Sequence, residues 1–280
     1  MDSFSSFHPV VNFIYFICLF GLSLRFRNPY VIGIVLVTML FYYGILAGVK
    51  GIVSVGKAGV FLALFSFIIN PLFNHRGICI LFYLGNTPIT KESVIYSIVT
   101  AGYLVSMLFL FACFQKVMSA DKITVLFAKI SPKFALTFSM ALSLIPKLSK
   151  DYKEIRRAQK GIGKSRKGSA VSSLIGIGLE DSIDRADSMA ARGYLLKGKR
   201  THVIPKMNWQ DIRLLCVEIL MFVFLLFIAG NISLTYEYFP TLYVPIFQPG
   251  HVLYYSLLLL FGGIPIYLQG KEIWKWHRKS

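Results

Sequence analysis

Four carboxylates stand close together in EDSIDRAD, residues 180–187: Glu180, Asp181, Asp184 and Asp187. A D-x-x-D pair at helical spacing can chelate Mg²⁺ for a diphosphate substrate, the chemistry of a membrane prenyl transferase. Such a site needs a second acidic cluster across a cavity, and the sequence offers none. Arg185 and the nearby lysines suit an ion-paired, solvated helix face better. GIGKS (161–165) resembles the end of a phosphate-binding loop, but the complete pattern needs glycine at position 158, where Ala158 stands, and a strand ahead of it. A linker between helices is expected there, with no ATP hydrolysis by this chain. The cysteines (Cys18, Cys79, Cys113, Cys216) and histidines (His8, His75, His202, His251, His277) are scattered without ligand spacing. No metal site is expected, and the cysteines read as small core residues.

DSMAARGY, residues 187–194, places Arg192 among Ala190, Ala191 and Gly193. Small neighbours let another protein's backbone approach, and arginine offers a planar fork of donors to a carboxylate or to carbonyls in a groove. The same residues also fit an ordinary surface cation in the last turn of a helix. Composition leaves both readings open.

The elements that must position these residues follow from periodicity. KLSKDYKEIRRAQK puts Leu148, Tyr152, Ile155 and Gln159 at i, i+4, i+7 and i+11, a stripe on a basic helix. A second helix is expected from near Val171 through Arg192, with Leu179, Ile183, Ala186 and Ala190 on one face. Gly193 falls at C′, and Lys197, Lys199 and Arg200 suit the negative end of the dipole. Ahead of both, FALTFSMALSLIP (134–146) reads as a short apolar piece ending at Pro146.

The chain has 280 residues, 55% hydrophobic and 15% charged, with a mean hydropathy of +0.62. Those values place it among membrane proteins. Its net charge of +17 would suit a nucleic-acid partner in a soluble protein, but most Lys and Arg lie in short connections and one central excursion, as the positive-inside rule requires. Nucleic acid is therefore not an expected partner. Apolar stretches cover about 10–24, 30–47, 58–73, 93–114, 212–230 and 251–269, and a span needs about 20 apolar residues. The expected fold is an all-α integral membrane protein with about four to six membrane helices and a helical cytoplasmic coupling subdomain. The expected division is 1–131 (membrane helices), 132–207 (coupling helices) and 208–280 (membrane hairpin and basic tail). No cleavable signal peptide is expected, since the first apolar run lacks a basic n-region and a cleavage site. The last two runs flank TYEYFPTLYVPIFQPG, which has no Lys or Arg, so both hairpin ends are expected inside. Trp274 and Trp276, beside Lys271 and Lys275, read as an interfacial anchor.

Taken together, several segments resemble one family: FHPVVNFIYF near the start, RNPY (27–30), NPLFNHRG (70–77), SPKFALTFSMALSLIPKL (131–148), EIRRAQKGIG (154–163) and LEDSIDRADSMAARGY (179–194). They are similar to the transmembrane (T) component of energy-coupling factor (ECF) vitamin transporters, related to the cobalt-transport permease. The resemblance covers essentially the whole chain. It implies a non-catalytic scaffold of the bacterial cytoplasmic membrane, joining a substrate-binding S component to two cytoplasmic ABC-type ATPases that bind the ATP. No cofactor on this chain is implied. In that family, two coupling helices each end in a small-Arg-small motif that enters a groove on one ATPase. Ala191-Arg192-Gly193 matches the second motif, whereas the first falls at Gly161-Ile162-Gly163, with Ile162 in the place of the arginine. Either Arg156, Arg157 or Lys160 supplies the cation one turn earlier, or apolar contact through Ile162 holds the first ATPase.

Overall fold

Three helices begin with the same device, a side-chain acceptor followed by proline. A helix start leaves backbone N–H groups without partners, and proline has no N–H to leave over. The His8 ring accepts from Val10 N–H (3.2 Å) at the head of α1 (Pro9–Arg25). Asn28 accepts from Tyr30 N–H (2.9 Å) at the head of α2 (Pro29–Phe73), and Ser131 accepts from Phe134 N–H (3.4 Å) at the head of α5 (Pro132–Gly161).

The computed structural model describes residues 3–26, 28–74, 77–84, 87–162, 167–194, 207–232, 234, 236, 238–239 and 249–278. The chain divides into two units, Met1–Ser119 with Met207–Ser280, and Ala120–Lys206. The first holds α1, α2, a hairpin of β1 (Ile80–Leu84) and β2 (Thr87–Thr90), α3 (Lys91–Val117), α7 (Trp209–Asn231), α8 (Pro249–Gly262) and α9 (Ile264–His277). The second holds α4 (Ala120–Ile130), α5 and α6 (Lys167–Ala191). The division by sequence grouped residues 120–130 with the membrane helices; α4 instead packs on α5, where Phe127 meets Phe134 edge-on with ring centroids 5.1 Å apart.

Within the first unit, α3 runs along α2, and α1 and α8 fill the remaining sides of one core. Tyr15, Phe16 and Leu19 of α1, Val35, Met39 and Tyr42 of α2, Leu110 and Cys113 of α3, and Tyr254, Leu258 and Phe261 of α8 are buried there. The Val35, Met39 and Tyr42 spacing is the helical period that keeps one face inward. After Lys57 α2 is apolar nearly all round, with Phe61, Leu64, Phe65 and Ile68 exposed, as expected of a helix whose surroundings are also apolar.

Among the described residues, three helices are long and apolar enough to cross a membrane: α2, α3 and α7. The pair α8 and α9, bent by 51°, passes the same test as one broken span, and α1, at 17 residues, is shorter. The expected range of four to six is thus reached, among the described residues, only at its lower end and only with the bent pair. Two of the six apolar runs, 30–47 and 58–73, are one element of 45 residues, broken at Gly48 (φ 66°) rather than separated by a loop. The described residues are helical almost throughout, as an all-α membrane protein should be, and the one short hairpin among them pairs ILFYL antiparallel with TPIT. Aromatic and β-branched residues favour a strand in so short a run, and Glu92 of α3 accepts Cys79 N–H at its mouth. Among the four cysteines, Cys18 and Cys113 are buried but Cys79 and Cys216 are exposed, so only two are core residues.

Polar side chains tie the unit together. Asn28 is fully buried, and its amide donates to Leu234 carbonyl oxygen (3.2 Å) and to the Tyr255 hydroxyl (3.0 Å). Asn28→Ala removes a helix cap and two buried hydrogen bonds, so a loss of about 2–4 kcal/mol is expected. It is checked as a lowered unfolding midpoint of the purified protein in detergent. Asp211 accepts from Asn208 N–H (2.8 Å) in a capping box and from His8 N–H (3.2 Å), which pins the start of α7 to the start of α1. Two turns further along α7, Glu218 is fully buried. Neither acid figures among the residues that sequence singles out.

Candidate functional site

The second unit is built on an antiparallel pairing of α5 with α6. Lys147 forms an ion pair with Asp181, Arg185 Nη1 lies 3.4 Å from Ser143 Oγ, and Gln159 Nε2 lies 3.3 Å from Ser169 Oγ. A Cβ on Gly178 would meet Leu148 at 3.8 Å, ordinary van der Waals contact, which places Leu148 against the partner helix at that position. These pairs share one register: each step forward along α5 is a step back along α6.

Sequence expectations meet this geometry unevenly. The stripe Leu148, Tyr152, Ile155 and Gln159 is half-buried, as the face toward α6 should be. On α6 the half-buried or buried positions are Ala170, Leu174, Gly178, Asp181, Arg185 and Met189. The stripe Leu179, Ile183, Ala186 and Ala190 faces outward, with Leu179 and Ile183 each 63% exposed. Two apolar faces compete on this helix, and the one turned to α5 is the mixed face that carries Asp181, paired with Lys147. Pro146 does not end a helix either. α5 runs through it, because one lost backbone bond is outweighed where packing on α4 and α6 holds both halves in line. α6 begins at Lys167, four residues ahead of the expected Val171.

The two helix ends that sequence proposes for docking are built differently. At the end of α6, Tyr194 N–H donates to Met189 carbonyl oxygen (3.1 Å) and Gly193 N–H to Ala190 carbonyl oxygen (2.9 Å). This is the Schellman closure, and Gly193 takes the left-handed φ of 77° that it requires. Gly193 is therefore at C′, as expected, and Arg192 is the last residue before the chain turns. Ala191 and Arg192 are exposed, and among the described residues Arg192 forms no ion pair. At the end of α5, Ile162 N–H closes on Ala158 carbonyl oxygen (3.3 Å), and the Ile162 side chain is 75% exposed beside exposed Gly161. Gly163 lies outside the described residues, as do Lys197, Lys199 and Arg200.

The auxiliary cations one turn back divide by environment. The Arg156 guanidinium lies over the Tyr152 ring (6.0 Å), whereas Arg157 and Lys160 are exposed. Because α5 and α6 are antiparallel, Ile162 and Arg192 stand at opposite ends of the hairpin. The 25 residues of α6, at about 1.5 Å each, set them about 37 Å apart.

The other candidates fare as follows. Asp181 is engaged by Lys147, while Glu180, Asp184 and Asp187 are exposed; among the described residues no three His, Cys, Asp or Glu side chains are grouped to hold a metal ion. GIGKS follows a helix rather than the strand that a phosphate loop needs. What the arrangement can do is dock: two exposed helix ends, each flanked by residues too small to bar a partner's backbone, plus an apolar stripe with no neighbour among the described residues. No family model matches the chain, and no curated protein matches it by sequence.

Proposed function

We propose that this chain is the transmembrane scaffold subunit of an ECF-type importer, coupling ATP hydrolysis by two cytoplasmic ATPases to uptake through a membrane-embedded substrate-binding subunit. One observation carries the reading: Ile162 and Arg192 end two antiparallel helices about 37 Å apart, so each end can seat in a separate partner. The Lys and Arg excess of 132–207 supports a cytoplasmic side for the hairpin, and the basic C-terminal segment supports the same side for that end, in a bacterial cell membrane. Nucleotide binding draws the ATPases together, the seated helix ends move with them as rigid bodies, and the exposed stripe of Ile175, Leu179 and Ile183 passes the motion to the substrate-binding subunit. ATP acts on this chain only through contacts that differ between the two states.

Extraction in mild detergent followed by affinity purification tests the proposal. Two ATPase chains and a small apolar membrane protein should accompany this one. Purification of the chain alone, together with Mg²⁺-dependent binding of a diphosphate, would instead favour a membrane transferase built on the acidic cluster. A second measurement separates the same alternatives. Asp184→Asn with Asp187→Asn is expected to leave uptake within about thirtyfold of the parent, since exposed charges contribute about 0–1 kcal/mol each, whereas a diphosphate enzyme would lose all activity.

A further inference from the structure

At the end of the first unit where α1 and α7 both begin, a cavity of about 530 Å³ opens between the N-terminal segment, α7 and α9. Its wall carries Arg213 on α7 and Lys271 and Lys275 on α9, against one carboxylate, Glu272. The Ser3 hydroxyl donates to Glu272 and also lies 2.9 Å from Gln269, so that carboxylate is occupied by the N-terminal segment. Among the described residues Arg213, Lys271 and Lys275 form no ion pair. Three cations line one cavity against a single carboxylate, an excess of positive charge that an anion relieves.

The cavity is also apolar on one side, where Leu214, Val217 and Leu268 line it. Val217 continues outward along α7 to Leu220 and Phe224, which are exposed, so cation and apolar track follow one another at i, i+4, i+7 and i+11 from Arg213. α7 is one of the helices long and apolar enough to cross a membrane, and Trp209 at its first residue and Trp274 on α9 are both exposed, as interfacial residues are. A free phosphate compound uses only the cations. An acidic phospholipid uses the cations for its headgroup and the apolar track for an acyl chain.

We propose that this cavity binds a phosphate-bearing anion supplied as the headgroup of an acidic phospholipid, whose acyl chain lies along Val217, Leu220 and Phe224. The assignment does not depend on the transport function.

Tryptophan fluorescence reports on the site, because Trp209 and Trp274 are next in sequence to the lining residues Gln210 and Lys275. The full-length protein in nanodiscs is titrated with phosphatidylglycerol brominated on its acyl chains, and separately with brominated phosphatidylcholine. Quenching by the acidic lipid should saturate at a mole fraction at least tenfold lower. Arg213→Gln with Lys275→Gln should erase most of that preference, a change of roughly 30-fold if each cation near the surface acts independently. Arg213→Lys with Lys275→Arg should retain it, which separates loss of charge from loss of fold. Equal quenching by the two lipids, or an unchanged preference in the Gln variant, overturns the proposal. Release of the brominated lipid by millimolar inorganic phosphate overturns the lipid source, since a free phosphate would then suffice.

Discussion

Replacing Arg192 by glutamate is expected to abolish uptake and to release one ATPase from the purified complex while the chain remains inserted in the membrane. The helix end should survive the change, because the bonds that close it are made by backbone groups: Arg192 N–H to Ser188 carbonyl oxygen, Gly193 N–H to Ala190 and Tyr194 N–H to Met189. The local cost is the loss of a cation at the negative end of a helix, about 0.3–1 kcal/mol. The cost at a partner is larger. Truncating one member of a buried charge pair costs about 2–5 kcal/mol, and reversing its sign adds repulsion. Association should therefore weaken by more than about thirtyfold, measured as recovery of each ATPase in the pull-down. Arg192→Lys keeps the charge but not the fork, so an intermediate loss is expected. Gly193→Ala adds a control: at φ 77° a Cβ costs about 1–2 kcal/mol, so the turn that presents Arg192 should loosen although the arginine is intact. Full ATPase recovery with Arg192→Glu would remove this helix end from the mechanism.

Gly262→Leu is expected to have the largest effect on stability. Gly262 is the point where α8 meets α2: a Cβ there would lie 2.8 Å from Thr38 Oγ1, 3.2 Å from its Cβ and 3.3 Å from its Cγ2. Thr38 cannot swing away cheaply, since β-branching restricts its rotamers and its hydroxyl donates to Ile34 carbonyl oxygen (2.9 Å). The Gly262 carbonyl also accepts from the Tyr15 hydroxyl (3.1 Å), so displacing α8 disturbs α1 as well. Small residues at such crossings let helix backbones approach in apolar surroundings. One added methyl, Gly262→Ala, should cost about 1–3 kcal/mol by overpacking, and leucine more. The measurement is the unfolding midpoint in detergent. Adding Thr38→Gly should restore much of the loss in Gly262→Ala, and the absence of any rescue would place the strain elsewhere.

The helix ends are the most legible part of this molecule because short-range rules write them. A glycine just past an apolar period foretold the turn at Gly193, and the Leu148 stripe foretold which face of α5 is covered. What resisted reading depends on partners distant in sequence. Leu179 and Ile183 have the right period to face inward, yet they face out, and the covered face is the one whose Asp181 meets Lys147, 34 residues away. Pro146 reads as a stop because its missing bond is local, while the packing that carries the helix past it is not. Glu218 reads as one acid in an apolar run, and its burial depends on helices distant in sequence, α1 and α8, that pack on α7. The strands Ile80–Leu84 and Thr87–Thr90 are too short for periodicity to reveal.

A hairpin with isoleucine at one end and arginine at the other has a polarity, like a bar magnet rather than a plain rod. Two identical sockets could not each complement both tips, since a groove lined with carboxylates or carbonyls suits Arg192 and strands Ile162, and an apolar groove does the reverse. An assembly built around the hairpin is thereby keyed: its two sockets need different linings, and exchanging them turns both contacts wrong at once. In the proposed importer, Ile162 at one tip and Arg192 at the other would fix which ATPase takes which end.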